Sequence, residues 1–153
     1  MRNATTVCQT GFLYGVSALA FLCARTHTLV YSFDIDDHGY KAAAERFLKM
    51  YYGSHRVLNT YGNSMLTLSG DYLEQDLLRR GIALPKCDLI FVDGCHFGVV
   101  PYHDIFNFRR LSYPGALIIM DDCVPHQKVL HRLRGTYSRI GHSVGPSVRG
   151  QRH

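Results

Sequence analysis

Two unbroken apolar runs, residues 89–92 and 116–120, stop abruptly on carboxylates: Asp93 after the first, Asp121 and Asp122 after the second. Four or five consecutive apolar residues without alternation suit a strand buried on both faces, as in parallel sheets covered by helices. Parallel neighbours cannot be joined by tight turns and need long crossovers. The fold therefore has to alternate strand and helix.

The rest of the chain supplies that alternation. Residues 6–8 read as a strand leading to Gly11 and Gly15, where a strand would turn into a helix, and 16–24 as a helix of small residues. Residues 29–33 form a second strand. Residues 40–52 form a helix with Ala43, Phe47 and Tyr51 on one face and Lys41, Glu45 and Lys49 on another. A third strand covers 56–61. A helix covers 71–80, with Ser69 as its cap and Gly81 as its stop. Strand 87–92, a helix from Pro101 to about Leu111, strand 116–120 and a helix from Pro125 to Arg134 complete the series. Five strands with helical crossovers predict an α/β domain: a doubly wound, Rossmann-like, mostly parallel sheet with helices on both faces. The runs at 89–92 and 116–120 are expected as central strands. The domain is expected over residues 1–134, with a basic, flexible tail over 135–153.

Charge locates that tail. Residues 1–122 carry 11 Lys and Arg against 12 Asp and Glu, and the residues after Asp122 carry 6 Lys and Arg with no acid. The net charge of +5 thus comes from one end, and no basic face for nucleic acid is expected on the body. Five cysteines without a C-x-x-C pair, mostly among apolar neighbours, read as reduced, packed thiols of a cytoplasmic protein. Residues 3–24 are uncharged and also resemble a secretory leader. The strand at 28–34 that follows, and glycines placed at a strand-to-helix turn, favour a folded segment. No membrane span is expected.

In open α/β sheets a ligand crevice lies beyond the carboxyl ends of the strands. Here those ends carry Gln9 with Gly11, Asp34 with Asp36, Asn63 with Ser64, Asp93 with His96, and Asp121 with Asp122. Individually these residues suit helix caps and turns. Together, polar exits on apolar strands form a site pattern. His96 is a candidate base, since imidazole accepts a proton near neutral pH, or else a residue orienting its loop. His103 and Asp104 are expected at the surface.

The order QTGFLYGVS, FDID, YGNS, DLIFVDGCH and PGALIIMDD resembles the class I S-adenosylmethionine-dependent methyltransferases, in their small-molecule O-methyltransferase-like branch, over about residues 5–130. The resemblance implies S-adenosyl-L-methionine as cofactor. Gly11 and Gly15 would approach its methionine moiety with Ser17 nearby. Asp34 would accept both ribose hydroxyls, and Asn63 and Ser64 would lie near the adenine edge. Asp93 would stand where the cofactor meets a small-molecule acceptor. Gln9 and Asn63 occupy positions where relatives usually carry acids, which implies weaker affinity for a cationic cofactor. Some relatives also hold Mg2+ on residues matching Asp93, Asp121 and Asp122, and oxygen donors suit that ion. The usual last strands of the fold are not legible after Arg134, so the chain resembles a truncated copy. A non-catalytic methyltransferase-like binding domain is the alternative. A nicotinamide-dependent oxidoreductase follows less well, because the G-x-G-x-x-G triplet is absent.

Overall fold

In the computed structural model, which describes residues 6–35 and 39–122, β-branched and aromatic runs form strands and the helical periods between them form crossovers. The order is β1 (Thr6–Thr10), α1 (Val16–Ala24), β2 (Leu29–Asp34), α2 (Tyr40–Tyr52), β3 (Val57–Tyr61), α3 (Ser64–Thr67), α4 (Gly70–Arg79), β4 (Cys87–Val92), α5 (Val100–Phe108), a 3-10 turn (Arg109–Leu111) and β5 (Ser112–Met120). All strand pairs are parallel, in the order β3-β2-β1-β4-β5. Every described strand therefore ends on the same edge. The chain reverses its winding between β1 and β4, the place where such sheets open a crevice.

Period-two alternation splits the sheet into two faces. Val7, Val30, Val57 and Leu89 form one buried cluster with Phe12, Ala18, Leu22 and Leu48. On the other face Phe33 stands edge-on to both Tyr31 and Phe108, with ring centroids 4.8 and 5.8 Å apart. Such pairs add about 0.5–1.5 kcal/mol beyond the apolar area they bury.

The expected α1, α2 and β4 stand as read, and several other expectations need correction. On α2 the faces are exchanged: Phe47 and Tyr51 are exposed, whereas Lys41 and Leu48 are buried. A single helical turn, α3, intervenes before α4. Strand β5 starts at Ser112, because Pro114 and Gly115 fall in an irregular stretch where residues 112–117 span only Cys87 to Leu89 of β4. Among the described residues β5 is an edge strand, with Leu117 and Ile119 exposed.

Asp104 is not at the surface but fully buried. Cys8 and Cys87 are not reduced thiols but form a disulfide across a separation of 79 residues. Cys23 and Cys95 are free but exposed rather than packed. The uncharged opening stretch holds β1, paired on both sides, and α1. No helix among the described residues is long and apolar enough to cross a membrane. Asp36, Cys123, the helix expected after Pro125 and the basic tail lie outside the described residues.

Candidate functional site

The site begins where β1 leaves the sheet. Gly11 adopts φ 83°, a left-handed conformation that side chains disfavour, and its N–H donates to the carbonyl of Phe33 at 2.9 Å. A Cβ on Gly11 would lie 2.0 Å from the carbonyl oxygen of Asp93. The N–H of Asp93 in turn donates to the carbonyl of Thr10 at 3.1 Å. The exits of β1 and β4 thus touch backbone to backbone. Gly15, at φ 74°, then turns the chain into α1, whose first turn carries the half-buried Ser17.

Asp34, at the end of β2, holds this turn from the other side. Its Oδ2 accepts the N–H groups of Phe12 at 2.6 Å and Leu13 at 2.7 Å. Its Oδ1 lies 2.6 Å from Nζ of Lys41, whose ammonium also donates to the carbonyl of Ile35. Three of the carboxylate's roughly four acceptor positions are therefore filled by the chain itself. The side chains of Asp34 and Lys41 are only 10% and 3% exposed. Beside them Leu13 and Ile35 expose apolar surface.

Gln9 lies beneath the rim rather than on it. It is fully buried, its amide nitrogen donates to the Ser32 hydroxyl at 3.0 Å, and its Oε1 has no partner. Asn63 caps α3, accepting the N–H of Met65 on Oδ1 at 3.0 Å. Ser64 and Thr10 bring their hydroxyls beside the carboxyl of Asp104, although neither makes a well-directed hydrogen bond to it. Burial pushes the Asp104 carboxyl above the usual range, against the smaller opposing influence of those hydroxyls.

At the β4 and β5 exits, Asp93, His96, Asp121 and Asp122 come together. His96 Nε2 lies 3.9 Å from Asp93 Oδ1 and 3.8 Å from Asp122 Oδ2. Desolvation, then the negative charge of Asp121 and a hydrogen bond with it, raise the carboxyl of Asp93 above its ordinary value. Asp122 takes φ 52°, unusual for a residue with a side chain. The arrangement of Asp93, Asp121 and Asp122 does not by itself show the expected Mg2+ site. Among the described residues no three His, Cys, Asp or Glu side chains are grouped so as to hold a metal ion. Burial and the like charge of Asp121 thus make the Asp93 carboxyl easier to protonate than one in water.

Reasoning from sequence missed two functional candidates, Lys41 and Asp104. For Lys41 a signal existed: it begins the stripe that runs through Leu48, seven residues on, which is the buried one. For Asp104 no signal was present, since a carboxylate on a short amphipathic helix ordinarily faces water.

A sequence profile described as a methyltransferase domain matches residues 8–123. No curated protein matches the chain. Among solved structures, the O-methyltransferase TomG from Streptomyces achromogenes, involved in tomaymycin synthesis and solved with S-adenosylmethionine, superposes with a TM-score of 0.64. It is 20% identical, over 90% of this chain and 64% of that one. A TDP-rhamnose 3′-O-methyltransferase of calicheamicin biosynthesis gives 0.59 at 14% identity, over 96% and 68%. An O-methyltransferase family protein from Burkholderia thailandensis gives 0.56 at 16% identity, over 89% and 38%. At these identities the likeness shows the fold. The chain spans only 36% to 58% of the length of three further O-methyltransferase structures.

Proposed function

The chain belongs to the class I S-adenosylmethionine-dependent methyltransferase family, and on that premise we propose that it binds S-adenosyl-L-methionine at the β1–β2 exit. The acceptor it methylates is a hydroxyl oxygen of a small molecule held at the β4–β5 exit. One observation supports this most: the glycine turn is fixed by the Asp34 carboxylate on one side and abuts the Asp93 backbone on the other. A nucleoside site and a reaction site then share one wall.

The residues present fit an adenine nucleoside. Asp34 Oδ1 supplies an acceptor for ribose hydroxyls, exposed Leu13 and Ile35 supply apolar surface for a flat base, and Asn63 and Ser64 stand at the neighbouring exit. Gly11, Gly15 and Ser17 line the turn and the first turn of α1 on the methionine side. Gln9 acts from below, its amide bracing β1 against β2 through Ser32. When bound, the cofactor supplies a methyl group made electrophilic by its sulfonium.

What remains for the protein is alignment and removal of a proton. His96 takes the acceptor's hydroxyl proton at Nε2, and the carboxylates of Asp93 and Asp122 on either side stabilise the resulting imidazolium.

Calorimetric titration with S-adenosylhomocysteine tests the reading. Saturable one-site binding is expected, and no heat of binding up to millimolar ligand would overturn it. Binding without transfer to any hydroxylic acceptor would favour a non-catalytic binding domain.

A further inference from the structure

Resting on that reading, we propose that Lys41 is an internal competitor for the ribose-binding carboxylate, and that it sets how weakly this site holds a nucleoside. A ribose diol presents two donors and needs two acceptor positions. Asp34 Oδ2 already accepts two backbone N–H groups at 2.6 and 2.7 Å, which hold the glycine turn and are not available for exchange. Both hydroxyls must therefore use Oδ1, and Nζ of Lys41 occupies one of its two positions at 2.6 Å.

Lys41 does not leave easily. Its side chain is 3% exposed, and its ammonium is held by the carbonyl of Ile35 as well as by Asp34. Moving a buried ammonium off its carboxylate without returning it to water is strongly unfavourable. A nucleoside thus either uses one hydroxyl only, or works against the Lys41–Asp34 pair. The ammonium also offsets the negative charge of Asp34, at a rim where Asn63 brings none and above a buried Gln9 that brings none. The chain has a cofactor pocket whose principal anchor is engaged from within.

The test compares the full chain with Lys41→Met and Lys41→Gln, titrated with S-adenosylhomocysteine, adenosine and 2′,3′-dideoxyadenosine. Both variants keep the two N–H donors on Oδ2 and take the ammonium off Oδ1. Should the Met variant fail to show a cooperative thermal transition, the neutral but polar Gln variant carries the comparison. Adenosine and S-adenosylhomocysteine are expected to bind about tenfold tighter or more, the worth of one charge-assisted hydrogen bond. Dideoxyadenosine, without the diol, is expected to bind as it does to the unaltered chain. Lys41→Arg keeps the cation and should show no gain.

Two results would overturn the role given to Lys41 while leaving the methyltransferase reading intact. One is unchanged or weaker adenosine binding by a folded Met or Gln variant of a chain that does bind S-adenosylhomocysteine. The other is an equal gain for dideoxyadenosine. Absence of S-adenosylhomocysteine binding in every form would overturn both.

Discussion

Gly11 lies so close to Asp93 that a single added carbon would stand 2.0 Å from the carbonyl oxygen of Asp93. This contact joins the two halves of the rim, because Gly11 follows β1 and Asp93 follows β4, on the two sides of the point where the winding reverses. Gly11→Ala combines that clash with a left-handed φ of 83°. A loss of about 2 kcal/mol or more is expected in urea unfolding, and a loss below about 0.5 kcal/mol, typical of a neutral surface change, would contradict the packing described.

Asp34 and Lys41 should be energetically coupled. Asp34→Asn takes the Asp34 carboxylate away from a buried ammonium, and breaking a buried ion pair ordinarily destabilises by about 3–5 kcal/mol. Adding Lys41→Met to Asp34→Asn removes the buried ammonium as well. The double variant is therefore expected to be more stable than Asp34→Asn alone, a coupling that a double-mutant cycle measures directly. Simple additivity would mean that the pair is not formed in solution.

Asp104 gives a pH signature. Its carboxyl is raised by burial, so the folded chain holds that proton more tightly than the unfolded one. The contribution to stability is complete below the unfolded value of 3.8 and is lost as pH rises through the raised folded value. Asp104→Asn has nearly the same shape and no charge to bury. It should stabilise the fold near neutral pH, by on the order of 1 kcal/mol, with the gain vanishing toward pH 3. Thermal unfolding of both proteins across that range reads the effect.

The Cys8–Cys87 bridge closes a long loop, and cross-links of this kind contribute roughly 2–5 kcal/mol, mostly by restricting the unfolded chain. Reduction under native conditions should lower the melting temperature, and Cys8→Ser should melt with the reduced protein. Mass spectrometry of the oxidised chain after peptide digestion should find residues 8 and 87 in one cross-linked fragment.

Mg2+ should have little effect on stability. With no three acidic, His or Cys side chains grouped around one position among the described residues, millimolar Mg2+ is not expected to raise the melting temperature. A rise abolished by Asp121→Asn would show that the carboxylates rearrange around the ion.

Helix and strand assignments came almost entirely from local pattern. The exits of β2, β4 and β5 are legible to within one residue, because an apolar run that ends in an acid marks where a strand leaves its sheet. Pro114 and Gly115 concealed the first half of β5, since neither suits a regular strand interior and the pair sits in an irregularity. The four-residue helix α3 was too short to show a period. At the site, the list of rim residues was legible, but the state of each was not. Asp34 was visible as an acid at a strand end, though nothing nearby announced that its carboxylate would be spent on Phe12, Leu13 and Lys41.

Sequence alone determined the alternation of strand and helix, the parallel sheet that alternation requires, and which residue types stand at its carboxyl edge. These follow from hydrogen-bond periodicities that repeat within a few residues. Tertiary structure alone decided that β1 lies against β4, that Cys8 therefore meets Cys87, and which way α2 and α5 roll, burying Lys41 and Asp104. Strand order and helix rotation are set by how whole elements share one core, so partners 79 residues apart in the chain carry no mark of each other until the sheet has formed.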